Sequence, residues 1–110
     1  MAVKRGSGNV FLDIGFDRFE AEELAVKADL IAMVADAIAR RGLTQTAAAK
    51  LCGTHQTSLS KVLSGKLDSV TIDQLAKWIV ALGGDVRITA SAPRARARRQ
   101  GSLTFDAARG

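Results

Sequence analysis

Two short helical segments separated by a single glycine constrain the fold of this chain more than any other feature. Thr44 can cap the first segment, Gln45–Cys52, and Gly53 ends it, after which residues 54–63 repeat the pattern of a helix. Helices joined by so short a turn need a small residue where they cross, which Ala49 supplies. The turn itself needs a residue without Cβ strain, which Gly53 supplies. The sequence therefore predicts two short helices that cross closely.

The second segment has an apolar face and a polar face. Leu59 and Val62 anchor it inward, and the side chains left outward in its N-terminal half are compact and polar: Gln56, Thr57, Ser60 and Lys61. A glutamine amide can pair with adenine in the major groove, and hydroxyl or ammonium groups can meet bases or phosphates. The segments thus have the build of a helix-turn-helix motif over residues 44–65, which favours DNA binding. The alternative is a degenerate motif that serves only dimerisation.

Two further helices flank this motif. Asp17 and Glu20 are spaced as a capping box ahead of a long amphipathic helix that should end before Gly42. Its predicted inward stripe is Leu24, Ala28, Ile31, Ala35 and Ile38. Thr71 and Gln74 form a second capping box, and the inward stripe of the helix that follows is Ile72, Leu75, Ile79 and Leu82.

Two segments outside the helices alternate in the manner of β-strands. In Asn9–Phe16 the apolar residues on one side are Val10, Leu12 and Ile14. In Asp85–Ala90 they are Val86, Ile88 and Ala90. A single strand needs a partner, which is either the other segment or the same segment of a second copy. We therefore expect an all-α helix-turn-helix bundle with one or two short flanking β-strands.

Length and composition indicate one globular domain, since the chain has 110 residues, of which 47% are hydrophobic and 25% charged. We expect residues 9–90 to form it, with residues 1–8 as a flexible N-terminus and residues 91–110 as a basic disordered tail. No apolar run approaches the roughly 18 residues that a transmembrane helix needs. The basic start lacks the apolar core of a secretory signal, so we expect a cytoplasmic protein with no membrane partner.

Cysteine and histidine usage limits the possible chemistry. Cys52 is the single cysteine and His55 the single histidine, so neither a disulfide within the chain nor a Cys/His metal site is expected. We predict no cofactor, no bound metal and no enzyme activity. Cys52 is interpreted as inert packing rather than a redox sensor. Trp78 lies off the apolar stripe of its helix, where it belongs either to an interface or to a wider core.

Charge is distributed unevenly along the chain. The formal net charge is +5, but residues 9–30 carry −4 and residues 91–110 carry +4. Between Asp36 and Asp68 there is no acid, and the bases in that window are Arg40, Arg41, Lys50, Lys61 and Lys66. Such a stretch can approach a polyanion without self-repulsion. The tail arginines are either an arm for phosphates or the minor groove, or a solubilising end.

The motif contains a distinctive series of residues: Leu43-Thr44-Gln45, Ala49, Gly53, Gln56, Ser60 and Gly65-Lys66. This series resembles the Xre/Cro family of helix-turn-helix proteins, whose fold is a lambda-repressor-like bundle. Residues 71–88 and 9–16 are similar to the HigA-like antitoxins and small regulators, so the likeness covers residues 9–90. The chain departs from the family pattern at Thr54, where an apolar residue is usual, and at His55, where a serine or threonine cap is usual.

The resemblance implies roles for the polar residues of the motif. Gln45 would contact phosphate and buttress Gln56, while Gln56 and its two hydroxyl neighbours would read bases. Lys66 would clamp the DNA backbone. The predicted DNA-binding residues are Gln45, His55, Gln56, Thr57, Ser60, Lys61 and Lys66. His55 has an alternative reading as a cap or an ordinary surface residue.

The resemblance also implies partners. We expect a homodimer that binds a palindromic operator, with about one helical turn between half-sites, and represses transcription. HigA-like antitoxins sequester a RelE-like or HigB-like toxin with a basic active site, for which the acidic segment Asp13–Asp29 is the expected surface. Those acids also favour the positive N-terminus of the long helix, which needs no partner. The alternatives are a stand-alone Xre-type regulator and a protein-inhibitor module without specific DNA recognition.

Overall fold

The computed structural model describes residues 9–96 and 100–107. The α-helices of these residues are α1 (Val10–Asp13), α2 (Arg18–Arg40), α3 (Gln45–Cys52), α4 (Gln56–Leu63) and α5 (Ile72–Ala81), with a 3-10 helix at Leu67–Ser69. The expected all-α class is confirmed. The predicted flexible N-terminus, residues 1–8, lies outside the described residues, as do residues 97–99 and 108–110 of the predicted tail. None of the described helices is long and apolar enough to cross a membrane.

The helix ends follow the capping residues that the sequence indicates. Asp17 Oδ1 accepts from the Glu20 N–H at 2.9 Å at the start of α2. Thr44 Oγ1 accepts from the Ala47 N–H at 3.1 Å at the start of α3. Thr71 and Gln74 form a complete capping box at the start of α5. Because each cap supplies a partner for N–H groups that the helix leaves unpaired, these residues fix where the helices begin.

The strand predicted over Asn9–Phe16 is wrong, because part of this segment forms the one-turn helix α1. Asn9 Oδ1 accepts from the N–H groups of Phe11 and Leu12 at 2.9 and 3.2 Å, which closes a helical turn. Asn9 Nδ2 also donates to the carbonyl of Ala21 at 3.0 Å, and the rings of Phe11 and Phe16 meet edge to face at 6.4 Å. The apolar alternation was therefore a weaker signal than the cap that precedes it.

The strand predicted over Asp85–Ala90 does not form within the described chain, where these residues have no regular secondary structure. A strand exists only when its backbone groups pair with a neighbouring strand. No segment of the described chain supplies that pairing, because the first candidate partner is helical. Ile88 accordingly remains 85% exposed.

The chain divides into two compact units. One unit is Lys27–Val86 and contains the last part of α2 together with α3, α4 and α5. Its buried apolar residues are Leu30, Ile31, Val34, Ile38, Ala48, Ala49, Leu59, Val62, Val70, Leu75, Trp78, Ile79 and Leu82. The described residues of the other unit are 9–26, 87–96 and 100–107, and within it Ala21 and Val26 are buried. Trp78, 6% exposed, belongs to the core of the first unit.

The stripe predicted for α2 is right in part. Ile31 and Ile38 are buried as expected, but Ala35 is exposed and Val34 is completely buried in its place. Leu30 also lies in the core. Burial of a branched aliphatic side chain removes more apolar surface from water than burial of an alanine methyl group. The helix is therefore rotated so that the larger side chains face inward.

Candidate nucleic-acid interface

The turn between α3 and α4 is built by a glycine and two alanines. Gly53 adopts a left-handed conformation, with φ of 71°, which an L side chain rarely tolerates. The Thr54 N–H donates to the Ala49 carbonyl at 3.0 Å and completes the helix end. Ala48 and Ala49 are buried and α3 contacts α4, as the spacing of small residues predicts. The result is two eight-residue helices held across a tight turn.

The buried residues of α4 determine which side chains are left outside. Leu59 is completely buried and Val62 nearly so, which fixes the rotation of the helix. Gln56, Thr57 and Lys61 are consequently exposed, and Ser60 is half-buried. Helix α4 thus presents an amide and hydroxyl groups from its first five residues and the Lys61 ammonium group from its last turn.

A hydrogen bond across the turn joins the two helices of the motif on their exposed side. Gln56 Nε2 donates to Gln45 Oε1 at 2.9 Å, although the residues are eleven positions apart. An amide nitrogen carries two protons and an amide oxygen two lone pairs. Gln56 therefore retains one N–H and its carbonyl oxygen for a further partner, and Gln45 holds the amide in place.

The turn after α4 positions a lysine at the edge of the same motif. The Lys66 N–H donates to the Lys61 carbonyl at 3.2 Å, and Gly65 takes a positive φ of 101° that closes the helix end. Ser69 Oγ donates to the Lys66 carbonyl at 2.7 Å. The Lys66 backbone is thus held from both sides while its side chain stays exposed.

His55 occupies the position before α4 with an extended backbone, but its side chain makes no capping hydrogen bond. The imidazole is exposed. Thr46 is also exposed, in the first turn of α3 beside Gln45.

The lysines and arginines between Asp36 and Asp68 do not all have the same surroundings. Arg40 Nε lies 2.6 Å from Asp36 Oδ2, so its charge is partly neutralised within α2. Arg41 Nη1 donates to the Leu82 carbonyl at 3.1 Å, which ties the end of α2 to the end of α5. Lys50, Lys61 and Lys66 are exposed and form no ion pair with any described residue. These three lysines are the ones available to an anion.

Cys52, the last residue of α3, packs against α5. Its Sγ lies 3.9 Å from the Trp78 carbonyl, and burial raises the pKa of its thiol. Its neighbour Leu51 is 46% exposed. Among the residues that the structure describes, no group of three or more His, Cys, Asp or Glu side chains is arranged to hold a metal ion.

The family of the chain follows from two comparisons with known proteins. The profile of a family described as a helix-turn-helix domain matches residues 10–91. A solved structure described as an XRE family transcriptional regulator is 30% identical to the chain, with a TM-score of 0.69. That match covers 81% of this chain and 99% of the other. The chain belongs to the XRE-type helix-turn-helix family. No curated protein matches it significantly.

Membership of the XRE-type family confirms the resemblance that the motif residues indicate. The family profile covers residues 10–91, whereas the domain bounds of residues 9–90 stay a prediction. The finer placement among HigA-like proteins rests on the sequence pattern alone and stays a prediction.

Proposed function

We propose that this XRE-type chain is a sequence-specific DNA-binding transcriptional repressor whose helix α4 enters the major groove. The observation that carries the proposal is the Gln45–Gln56 hydrogen bond on the exposed side of the motif. It holds the first outward amide of α4 in a defined direction. The solved structure of the similar XRE family transcriptional regulator supports the regulatory role.

Gln56 is the proposed reader of adenine. Its remaining N–H can donate to adenine N7, and its carbonyl oxygen can accept from adenine N6. Thr57 and Ser60 follow on the same helix and offer hydroxyl groups to neighbouring bases. His55 is a candidate contact at the start of the helix. Together these residues would form the part of the surface that distinguishes sequences.

Lysines would supply the part of the binding that does not depend on sequence. Lys61 and Lys66 are exposed at the end of α4 and in the turn after it, where an ammonium group can meet a phosphate. Gln45, at the N-terminus of α3, would contact the backbone there while it holds Gln56. We further propose a homodimer on a palindromic operator, since two-fold DNA sites mirror two-fold proteins.

A second proposal is that the chain is the antitoxin of a toxin–antitoxin pair. Asp17, Glu20 and the 61%-exposed Phe19 form an acidic and partly apolar surface at the start of α2. A RelE-like or HigB-like toxin with a basic face would be complementary in charge. A stand-alone regulator would leave this surface without a partner, and a pure inhibitor module would use it without specific DNA recognition.

The test of the repressor proposal is binding of the purified chain to its own upstream DNA and to shuffled DNA across a salt series. Gln56→Ala should lose about 1–3 kcal/mol of preference for the operator, because a bidentate base contact disappears. Gln45→Ala should lose part of the same preference. Lys66→Ala should weaken both DNAs alike and reduce the salt slope by about one.

Two exposed residues outside the motif provide matched controls. Gln100→Ala makes the same substitution as Gln56→Ala in the C-terminal segment, and Lys77→Ala matches Lys66→Ala on α5. Gln100→Ala should leave the operator preference unchanged, and Lys77→Ala should leave both the affinity and the salt slope unchanged. Equal binding of the wild-type chain to operator and shuffled DNA at every salt concentration would refute sequence-specific recognition and leave the inhibitor module as the better proposal.

A further inference from the structure

A short basic segment follows the helix-turn-helix unit and lies outside the motif. Residues 87–96, here named the arginine segment, contain three arginines and no acid. All ten residues are exposed, and Arg87, Arg94 and Arg96 form no ion pair with any described residue. Pro93 restricts the backbone before Arg94, and a turn follows at Ala95 and Arg96. The segment thus exposes three guanidinium groups that form no ion pair with a described residue, on a backbone that Pro93 partly restricts.

The chain beyond this segment is attached to the start of α2. The Leu103 N–H donates to Glu22 Oε1 at 2.7 Å, although the two residues are 81 positions apart. Arg18 Nε contacts the other oxygen of the same carboxylate at 3.2 Å. Leu103 and Phe105 are half-buried, whereas the residues around them are exposed. This contact, here named the Glu22 clip, makes the arginine segment part of a closed loop rather than a free end.

A clipped loop differs physically from a solubilising tail. Holding its far end removes conformational freedom before any ligand arrives, so less entropy is lost on binding. The segment has one large apolar side chain, Ile88, so its chemistry is mainly that of guanidinium groups. Guanidinium groups bind phosphates in a bidentate geometry and carry their charge at every physiological pH.

We propose that the arginine segment, held by the Glu22 clip, is a second DNA-backbone contact that adds affinity without sequence preference. This inference rests on the proposed DNA-binding function. It assigns to Arg94 and Arg96 phosphate contacts beyond those of the helix-turn-helix motif. Each contact releases counterions, so its contribution appears in the salt dependence of binding.

The test compares the full chain with an Arg94→Ala/Arg96→Ala variant on operator and shuffled DNA. Loss of two phosphate contacts should reduce the slope of log K against log salt by about two on both DNAs. The affinity loss should therefore be about tenfold greater at 50 mM than at 200 mM salt. Arg94→Lys/Arg96→Lys keeps both charges and should keep most of the slope. Lys77→Glu, on the exposed side of α5, changes the net charge by the same amount and should leave the slope nearly unchanged.

An unchanged slope in the double alanine variant would overturn the inference, and so would an equal decrease in Lys77→Glu, which would indicate a general effect of net charge. The operator preference of the wild-type chain is a separate result. If that preference is absent while the slope still falls, sequence-specific repression fails and the arginine contact stands. If wild-type binding is specific and the slope does not change, only the arginine contact fails.

Amide hydrogen exchange tests the clip itself. Glu22→Ala removes the acceptor of the Leu103 N–H, so exchange at Leu103 should become about tenfold faster or more. Glu22→Gln keeps an acceptor oxygen, so exchange at Leu103 in this variant should be faster than in the wild type and slower than in Glu22→Ala. Exchange in α3 should not change. Equal exchange at Leu103 in all three proteins would show that the carboxylate does not hold the loop.

Discussion

The hydrogen bond between Gln45 and Gln56 joins two exposed side chains, so its importance lies in orientation rather than in stability. A hydrogen bond in contact with water contributes about 0.5–1.5 kcal/mol net. A glutamine side chain that must be fixed to read a base loses up to about 2 kcal/mol of rotamer entropy. A partner that fixes the amide beforehand reduces that loss when DNA binds. Gln45 can therefore influence base recognition without touching a base.

Cys52 shows how partial burial controls a reactive side chain. Burial raises the pKa of its thiol, so less thiolate is present at neutral pH than in an exposed cysteine. We expect iodoacetamide to alkylate the native chain severalfold more slowly than the urea-unfolded chain at pH 7.5. The alkylation rate of the native chain should continue to increase as the pH is raised above 9.0, the ordinary pKa of a thiol. Equal rates in the native and unfolded chains would show that the thiol is not protected.

At the scale of the elements, helix caps are the part of the fold that the sequence predicts best. The Thr44 and Thr71 caps are local interactions, so their residues suffice to predict the starts of α3 and α5. The strand predicted over Asn9–Phe16 is wrong because two local signals compete there. Apolar alternation favours a strand, but the Asn9 side chain caps a helical turn with hydrogen bonds inside the segment. A strand at Asp85–Ala90 depends on a distant partner, which the local sequence does not specify.

The exposure of the candidate site residues was predictable for the same reason. Leu59 and Val62 set the rotation of α4, and this rotation fixes the exposure of Gln56, Thr57 and Lys61. The Glu22 clip was not predictable, because it joins residues 81 positions apart and one partner is a backbone N–H group with no sequence signature. Such a contact depends on the path of the backbone between the two residues rather than on a local sequence pattern.

The start of α4 lacks a side-chain cap, unlike the start of α3. His55 has the extended backbone of an N-cap but makes no side-chain bond to the helix. His55→Ser should stabilise the chain by about 1 kcal/mol, since a serine hydroxyl can accept from the free N–H groups. Urea denaturation followed by circular dichroism measures this change. Thr44→Ala, which removes an existing cap bond, should shift stability by a similar amount in the opposite direction.

The same variant separates the two roles open to His55. If His55 is only a surface residue, His55→Ser keeps full operator affinity while the chain becomes more stable. If the imidazole contacts DNA, operator affinity falls although the helix is better capped. A His55→Ser chain that is no more stable than wild type would contradict the capping argument.

At the scale of the whole molecule, charge of opposite sign is concentrated in different parts of the sequence. Residues 9–30 carry a net charge of −4, whereas residues 31–110 contain the exposed lysines of the motif and the arginine segment. One chain can thus offer a surface to a cationic protein and another to a polyanion. Occupancy of the first would alter binding at the second if the two are energetically coupled, as linkage requires.

The proposed dimer makes a prediction about operator geometry. Two motifs fixed by two-fold symmetry must meet half-sites that face the same side of the duplex, about 10 base pairs apart. Inserting five base pairs between the half-sites turns one of them to the opposite side, so only one motif can bind. We expect an affinity loss of about tenfold or more, because one set of base contacts is then missing. DNA with a single half-site should bind the chain as weakly as the altered operator does. Analytical ultracentrifugation should find two chains bound to the unaltered operator. A monomer that binds each half-site independently would show no dependence on the spacing, and its complex would gain mass one chain at a time.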